Sequence, residues 1–287
     1  MPPVGMTPYT WAFGEAGTIL NTDSIGLPFV DVTSVSGLDT APLRTNTDEH
    51  QGTDGTYVDT PYMSMRTIVV SGTLYTDPSD PDSLLDSLRT DYESNVVRPF
   101  YFQLPNKTLR YVNCQGGGLQ YNIDQSRRIG STPVQFTVLA GDPYIYDYPA
   151  QQAIAQISSA AGIGIGFNVA FNTGFGGPIT TFPVAISNHG THTAYPVITL
   201  FGPMTNPVLV DAVSGITMAL SITLSSGDTL VVDCRNKSVV LNGTASRRSA
   251  LTGLSWFAVP AGGSATITLG AVSGTGTASV LLNNTYY

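Results

Sequence analysis

Charge is scarce in this chain. Of its 287 residues, 12 are Lys or Arg and 20 are Asp or Glu, well under the usual quarter of a soluble domain. So few bases, under a net charge of −8, do not make the basic footprint that nucleic-acid binding requires. Cysteine is scarcer still. Cys114 and Cys234, one in each half, are too few for a disulfide-built scaffold and read as two separate, unpaired thiols. The opening MPPVGMTPYTW lacks the basic segment and apolar run of a signal peptide. The longest weakly polar run, Ala153 to Phe171, is broken by Gln156, Ser158, Ser159, Asn168 and three glycines. It falls short of the ~20 apolar residues that span a bilayer, so no membrane partner is expected.

Chemical signatures are missing too. There is no Gly-x-Ser-x-Gly elbow and no His-Glu-x-x-His helix. Gly164 and Gly166 lack the Lys-Ser/Thr and the strand-to-helix setting of a phosphate loop. His189-x-x-His192 has no Cys, Asp or Glu beside it to complete a metal site. Asp80, Asp82 and Asp86 crowd a helix start, where the helix dipole accounts for them. We expect no enzymatic activity, no catalytic residues, no metal and no cofactor.

What the chain has in plenty is Gly, Pro, Ser, Thr and strand-forming residues, with 42% hydrophobic content. That is the composition of an all-β protein with many turns. The charge is uneven. Residues 1–150 hold 17 acidic and 8 basic side chains, a net of −9, and residues 151–287 hold 3 and 4, a net of +1. This break predicts two domains.

The first half is organised around 35–75. From Ser64 to Tyr75, Ile68, Val70 and Leu74 fall on one face of a strand, and Thr67, Val69, Ser71 and Thr73 on the other. Ahead of it, Arg44 to Thr60 is long, polar and turn-bearing at Gly52-Thr53-Asp54-Gly55. This is an extended arm that cannot bury itself in one domain. One convincing helix follows, with Asp80 as N-cap, Pro81 at its first position and Leu84, Leu85, Leu88 and Tyr92 on one face. Phe100–Leu104 and Leu109–Gln115 read as a hairpin, Gly116-Gly117-Gly118 as a turn, and Thr132–Ala140 as a strong strand. The Gly-rich 150–181 reads as a connector. After it come short strands: Phe182–Asn188, Tyr195–Phe201, Val208–Val213, Thr217–Leu224, Thr229–Cys234, Ser238–Leu241, Leu254–Val259, Ala265–Leu269 and Ser279–Asn283. Their spacing is that of a β-sandwich.

Ordered fragments of both halves carry a resemblance. Gly37-Leu38-Asp39, Arg44, Asp54-Gly55, Arg66 to Gly72 and Phe136 to Tyr146 succeed one another in the first half. Asn188-His189-Gly190, Tyr195-Pro196, Gly202-Pro203, Gly227-Asp228-Thr229, Leu241-Asn242-Gly243 and Trp256-Phe257 do so in the second. The chain resembles the distal tail proteins (Dit-like tail-tip or baseplate hub components) of long-tailed, non-contractile bacteriophages. The resemblance implies a ring-forming domain over 1–149, built as a β-barrel or curved sheet with one helix and an extended β-arm. It implies a galectin-like or carbohydrate-module-like β-sandwich over 182–287, while the long Gly-rich connector over 150–181 departs from the family's pattern. It further implies a hexameric ring at the distal end of the virion's tail, assembled in the host cytoplasm. That ring would join the tail tube protein to the hub or fibre protein and pass DNA without binding it. Arg44, Asp54, Gly55 and Arg66 are then the ring-interface candidates. The alternative is a receptor-binding module that grips a cell-surface saccharide, with Tyr195 and Trp256 as stacking platforms and Tyr286 and Tyr287 as further aromatics.

Overall fold

The computed structural model describes all residues except 16, 23–25, 83, 93–94 and 159–179. It is mainly β and divides into two compact units. One is Met1–Tyr148 with Tyr287, and the other is Pro149–Tyr286.

The first unit contains β1 (Trp11–Phe13), β2 (Ile19–Leu20), β3 (Phe29–Ser36), β4 (Leu43–Arg44), β5 (Thr47–Glu49), β6 (Thr56–Val58), β7 (Tyr62–Met63), β8 (Arg66–Tyr75), α1 (Leu85–Tyr92), β9 (Arg98–Phe102), β10 (Arg110–Tyr121), β11 (Ser131–Ala140) and β12 (Ile145–Asp147). Its main ladder runs β2-β1-β9-β10-β11-β8-β3, with β12 paired to β10. The expected alternation holds in β8, where Ile68, Val70 and Leu74 are buried. Thr132, Val134, Phe136, Val138 and Ala140 of β11 share that interior. The ladder is a curved, open sheet and does not close into a barrel. Among the described residues, one backbone hydrogen bond links its two ends, from Asn21 N–H to the Val30 carbonyl at 2.8 Å.

The Gly116–Gly118 run, expected as a turn, is a bulge inside β10. Residues Arg110 to Cys114 pair with β9, and Gln115 to Tyr121 pair with β11, with the register shifting between Gly116 and Gly118. A Cβ on Gly117 would lie 3.1 Å from the Thr137 carbonyl oxygen and 3.1 Å from its Cγ2. Glycine lets the strand bend there and serve both parts of the sheet.

Helix α1 starts later than its sequence signals imply. Asp77 accepts hydrogen bonds from the Ser79 N–H (2.8 Å) and hydroxyl (2.7 Å), and Asp80 N–H bonds back to the Asp77 carbonyl (2.9 Å). These turns consume the residues read as cap and first position. Leu85, Leu88 and Tyr92 are buried, with the Tyr92 ring 4.4 Å from Phe136 and 5.3 Å from Phe13 between centroids. Leu84, expected on the same face, is half-buried. Leu88→Ala is expected to cost about 3 kcal/mol. The measurement is urea unfolding in a Trp256→Phe background, where Trp11 alone reports on the first unit. An unchanged midpoint would remove Leu88 from the core.

The second unit contains β13 (Gln151–Ser158), β14 (Thr180–Phe182), β15 (Val184–Ser187), β16 (Val197–Phe201), β17 (Met204–Thr205), β18 (Val208–Asp211), β19 (Thr217–Ala219), β20 (Thr223–Leu224), β21 (Thr229–Asp233), β22 (Ser238–Leu241), β23 (Ala245–Ser246), β24 (Ser264–Gly270), β25 (Ser273–Gly274) and β26 (Thr277–Leu282). One sheet is ordered β14-β13-β26-β16-β21-β22-β23, the other β15-β24-β18-β19, and β20-β17-β25 form a small third. Ile198, Leu200, Leu230, Val232 and Val280 of the first face meet Ile186, Leu209, Met218, Ile267 and Leu269 of the second in one core. This is a sandwich.

Two expectations change here. The stretch read as a connector begins with a full strand, β13, which pairs along β26 from Gln151↔Leu282 to Gln156↔Thr277. Beyond it, Gln156↔Phe182 and Ser158↔Thr180 pair β13 with β14. Ser158 and Thr180 are therefore partners in one sheet, and residues 159–179 lie outside the described residues. Leu254–Val259 is not a strand. Phe257 and Val259 alternate inward as a strand's residues would, but only Val259 forms a bridge, to Ala194.

Candidate functional site

The arm is a two-stranded ribbon that stands off the first unit. Pairing runs from Leu43↔Met63 and Arg44↔Tyr62 to Thr47↔Val58 and Glu49↔Thr56. Asp59 N–H to the Asn46 carbonyl (3.1 Å) and His50 N–H to the Gly55 carbonyl (3.1 Å) extend it to the tip. The ladder breaks at Pro61, which has no N–H to give. Every residue from 42 to 62 is exposed except His50, which stacks on Tyr57 with ring centroids 3.9 Å apart and planes 9° apart. Leu43, Tyr57, Val58 and Tyr62 are 59–69% exposed. Arg44, Asn46, Asp59, Thr60 and Tyr62 line an open groove of about 450 Å³ along the ribbon.

The four interface candidates separate in this structure. Arg44 lies in the groove, while Asp54 and Gly55 lie at the exposed tip. Arg66 is elsewhere and is corrected: at 1% exposure it has no surface to offer a neighbour. Its Nε donates to the Pro143 carbonyl (2.9 Å), and its Nη1 donates to the carbonyls of Gly37 (2.8 Å) and Asp39 (2.5 Å). Burial pulls the guanidinium below its ordinary pKa, against the opposing charge of Asp39. One side chain thus ties together the run-out of β3, the start of β8 and the segment after β11. Gly37 allows the close approach. It sits at φ +84°, and a Cβ there would lie 2.0 Å from the Thr67 carbonyl oxygen. Three fragments that are far apart in the chain, Gly37-Leu38-Asp39, Arg66 and Gly141-Asp142-Pro143, are one hydrogen-bonded node at the foot of the arm. Their spacing alone does not reveal this. An Arg opening an otherwise alternating apolar strand face was the available signal.

The motifs of the second half are also structural nodes. Asn188 is fully buried and donates to the carbonyls of His192 (2.7 Å), Val259 (3.1 Å) and Pro260 (3.2 Å), while its Oδ1 accepts from Gly190 N–H (2.9 Å). Asp228 accepts from Asn242 Nδ2 (2.9 Å) and Ser225 N–H (2.8 Å), which locks the turn before β21. These bonds hold the Asp228 carboxyl below the usual range. Asp211 accepts from the Thr266 N–H (2.8 Å) and the Ser214 hydroxyl (2.5 Å). Burial raises that carboxyl, and the hydrogen bonds outweigh it, so the net shift is downward.

Of the two proposed stacking residues, Tyr195 is 37% exposed. Trp256 is half-buried against the sandwich core, and the Arg248 guanidinium sits 4.6 Å from its ring centroid. A sugar platform needs an open aromatic face, and this one carries a cation. Cys114 and Cys234 are buried free thiols, each pushed up to about 12 by burial. Among the described residues, no three His, Cys, Asp or Glu gather as a metal site, and no helix is long and apolar enough to cross a membrane.

With this geometry in place, comparison with known proteins is specific. Residues 189–282 match the SPP1_Dit family model, the siphovirus-type tail component, C-terminal domain. Over these residues the chain is Dit-like. Its fold is similar to that of the SPP1 phage Dit protein, a crystal structure described as a paradigm of the hub adsorption apparatus in phages infecting Gram-positive hosts. The TM-score is 0.64 at 13% identity, over 97% of this chain and 99% of that one. A chain of the phage P2 baseplate in its activated conformation with Ca has a TM-score of 0.53 at 10% identity, over 95% and 97%. The same baseplate with Sr gives 0.52 at 10% identity. No curated protein matches by sequence. The Dit-like motifs quoted from the first half lie outside the matched residues, so there the likeness rests on fold.

Proposed function

We propose that this Dit-like chain is a structural component of a siphovirus tail tip, and that its copies form a closed ring through the arm. The exposed ribbon of 42–62 carries the argument. A lone two-stranded ribbon is marginal in water, yet this one is anchored by a buried arginine and displays apolar side chains to solvent. A neighbouring copy would pair its open edges and cover Leu43, Tyr57, Val58 and Tyr62. A head-to-tail contact of this kind gives a ring when its rotation closes, and six copies is our working number. The ring would join the tail tube to the hub or fibre protein. The net −9 of residues 1–150 suits a passage for DNA, because like charge keeps a polyanion off the wall.

Deleting Asn46–Asp59 tests the arm. The Dit-like chain is expected to run as an oligomer in light scattering, and the deletion variant as a folded monomer. A deletion variant that kept the parent's mass would refute the arm as the ring contact.

A further inference from the structure

The chain has a single Asn-Gly pair, Asn242-Gly243. In an open chain this pair loses its side-chain amide readily, because glycine puts no Cβ beside the attacking nitrogen. The Gly243 nitrogen attacks the Asn242 Cγ. A C–N bond forms, the Cγ–Nδ2 bond breaks, and ammonia leaves. Water then opens the succinimide ring at either carbonyl, to aspartate or isoaspartate. Solvent water is the only co-reactant. Bulk does not shield the pair in the folded protein. Both residues are exposed, and a Cβ on Gly243 would meet nothing within 4 Å.

Hydrogen bonds hold it instead. Asn242 and Gly243 form the centre of the turn between β22 and β23. Their φ values are left-handed, +49° and +73°, and the Thr244 N–H bonds to the Leu241 carbonyl at 3.2 Å. The Asn242 side chain reaches across to the start of β21. Its Oδ1 accepts from the Thr229 N–H at 2.9 Å, and its Nδ2 donates to Asp228 Oδ1 at 2.9 Å. Its own N–H bonds to the Thr229 carbonyl at 2.8 Å. Asp228 is fixed in turn. Its Oδ2 accepts from the Ser225 N–H at 2.8 Å, and its carbonyl accepts from the Gly202 N–H at 3.1 Å. To cyclise, Asn242 Cγ must swing onto the Gly243 nitrogen. That motion breaks both side-chain bonds, one of them to a charged carboxylate.

We propose that Asn242 is a latent deamidation site, which Asp228 keeps unmodified as long as the sandwich is folded. The product cannot return to the same turn. A carboxylate at 242 puts an oxygen where Nδ2 lay, 2.9 Å from Asp228 Oδ1, so two like charges meet with no proton between them. Isoaspartate also lengthens the backbone of the turn. The site therefore records opening irreversibly: a chain that unlocks there for long enough to cyclise stays marked. This goes beyond the ring reading and does not depend on it.

The test is mass spectrometry of the tryptic peptide 238–247, whose ends are set by Lys237 and Arg247. The full-length protein is first held in mildly alkaline buffer, folded or in urea, and the readout is the mass gained when the amide becomes an acid. The folded wild type is expected to keep the amide and the urea-unfolded chain to lose it. Asp228→Asn keeps the shape of the side chain, but its one acceptor oxygen can serve only one of the Asn242 and Ser225 donors. It is expected to speed the loss in the folded protein roughly tenfold. Val232→Ala, in the core on the same strand, is the control. It lowers the melting temperature without touching the lock, and the amide should stay. Equal loss in folded and unfolded wild type, or no loss even in urea, would overturn the proposal. So would an Asp228→Asn variant as slow as wild type. A Val232→Ala variant as fast as Asp228→Asn would also overturn it, by assigning the protection to global stability.

Discussion

Arg66→Ala is expected to cost the first unit about 4 kcal/mol, near the upper end for a single substitution. The loss has two parts. A large, fully buried side chain is removed, leaving a cavity at the foot of β8. The carbonyls of Gly37, Asp39 and Pro143 lose a charged donor. Arg66→Met separates these parts, because it refills most of the volume and donates nothing. Urea unfolding read by Trp11 in the Trp256→Phe background measures both variants. Hydrogen exchange at residues 42–62 shows whether the arm loosens with its base. A loss under about 1 kcal/mol for Arg66→Ala would mean that the three segments hold together without it.

The second large effect is expected at Gly37. Gly37→Val places a branched side chain at φ +84°, with its Cβ 2.0 Å from the Thr67 carbonyl oxygen. The obstacle is backbone at the start of β8, a strand paired on both sides, so nothing flexible can yield. We expect more than about 4 kcal/mol of destabilisation, or no folded first unit at all. Gly52→Val is the internal control. Gly52 has a similar φ of +81° at the arm tip, but a Cβ there meets nothing within 4 Å. That variant should show only the backbone strain, about 1–2 kcal/mol, in the stability of the arm. Equal effects at the two sites would refute the steric reading of Gly37.

The layout of the fold was legible wherever one face of an element is buried and the other is not. Strands β8 and β11 alternate cleanly because the sheet packs on one side, and the face of α1 repeats for the same reason. Signals that depend on tertiary contact were misleading. Gly116-Gly117-Gly118 has turn composition, and only the nearness of Thr137 makes it a bulge. Asp80-Pro81 has cap composition, but Asp77 claims the preceding turn. The fragments of the arm's foot are ordered in sequence, yet their meeting at Arg66 is a property of the folded chain.

The pairing of β13 with β14 has a consequence for how this protein can grow. Ser158 and Thr180 sit opposite each other in the ladder, so both ends of the intervening stretch are fixed by one pair. Its length can change without shifting any other register in the sheet. For a flexible segment closed by one such pair, each doubling of length costs only about 0.6 kcal/mol in closure entropy. The sandwich thus has a port in its outermost pair of strands. A tag, an epitope or a whole folded module could be spliced in there, leaving the core of the host unit and its first and last strands as they are.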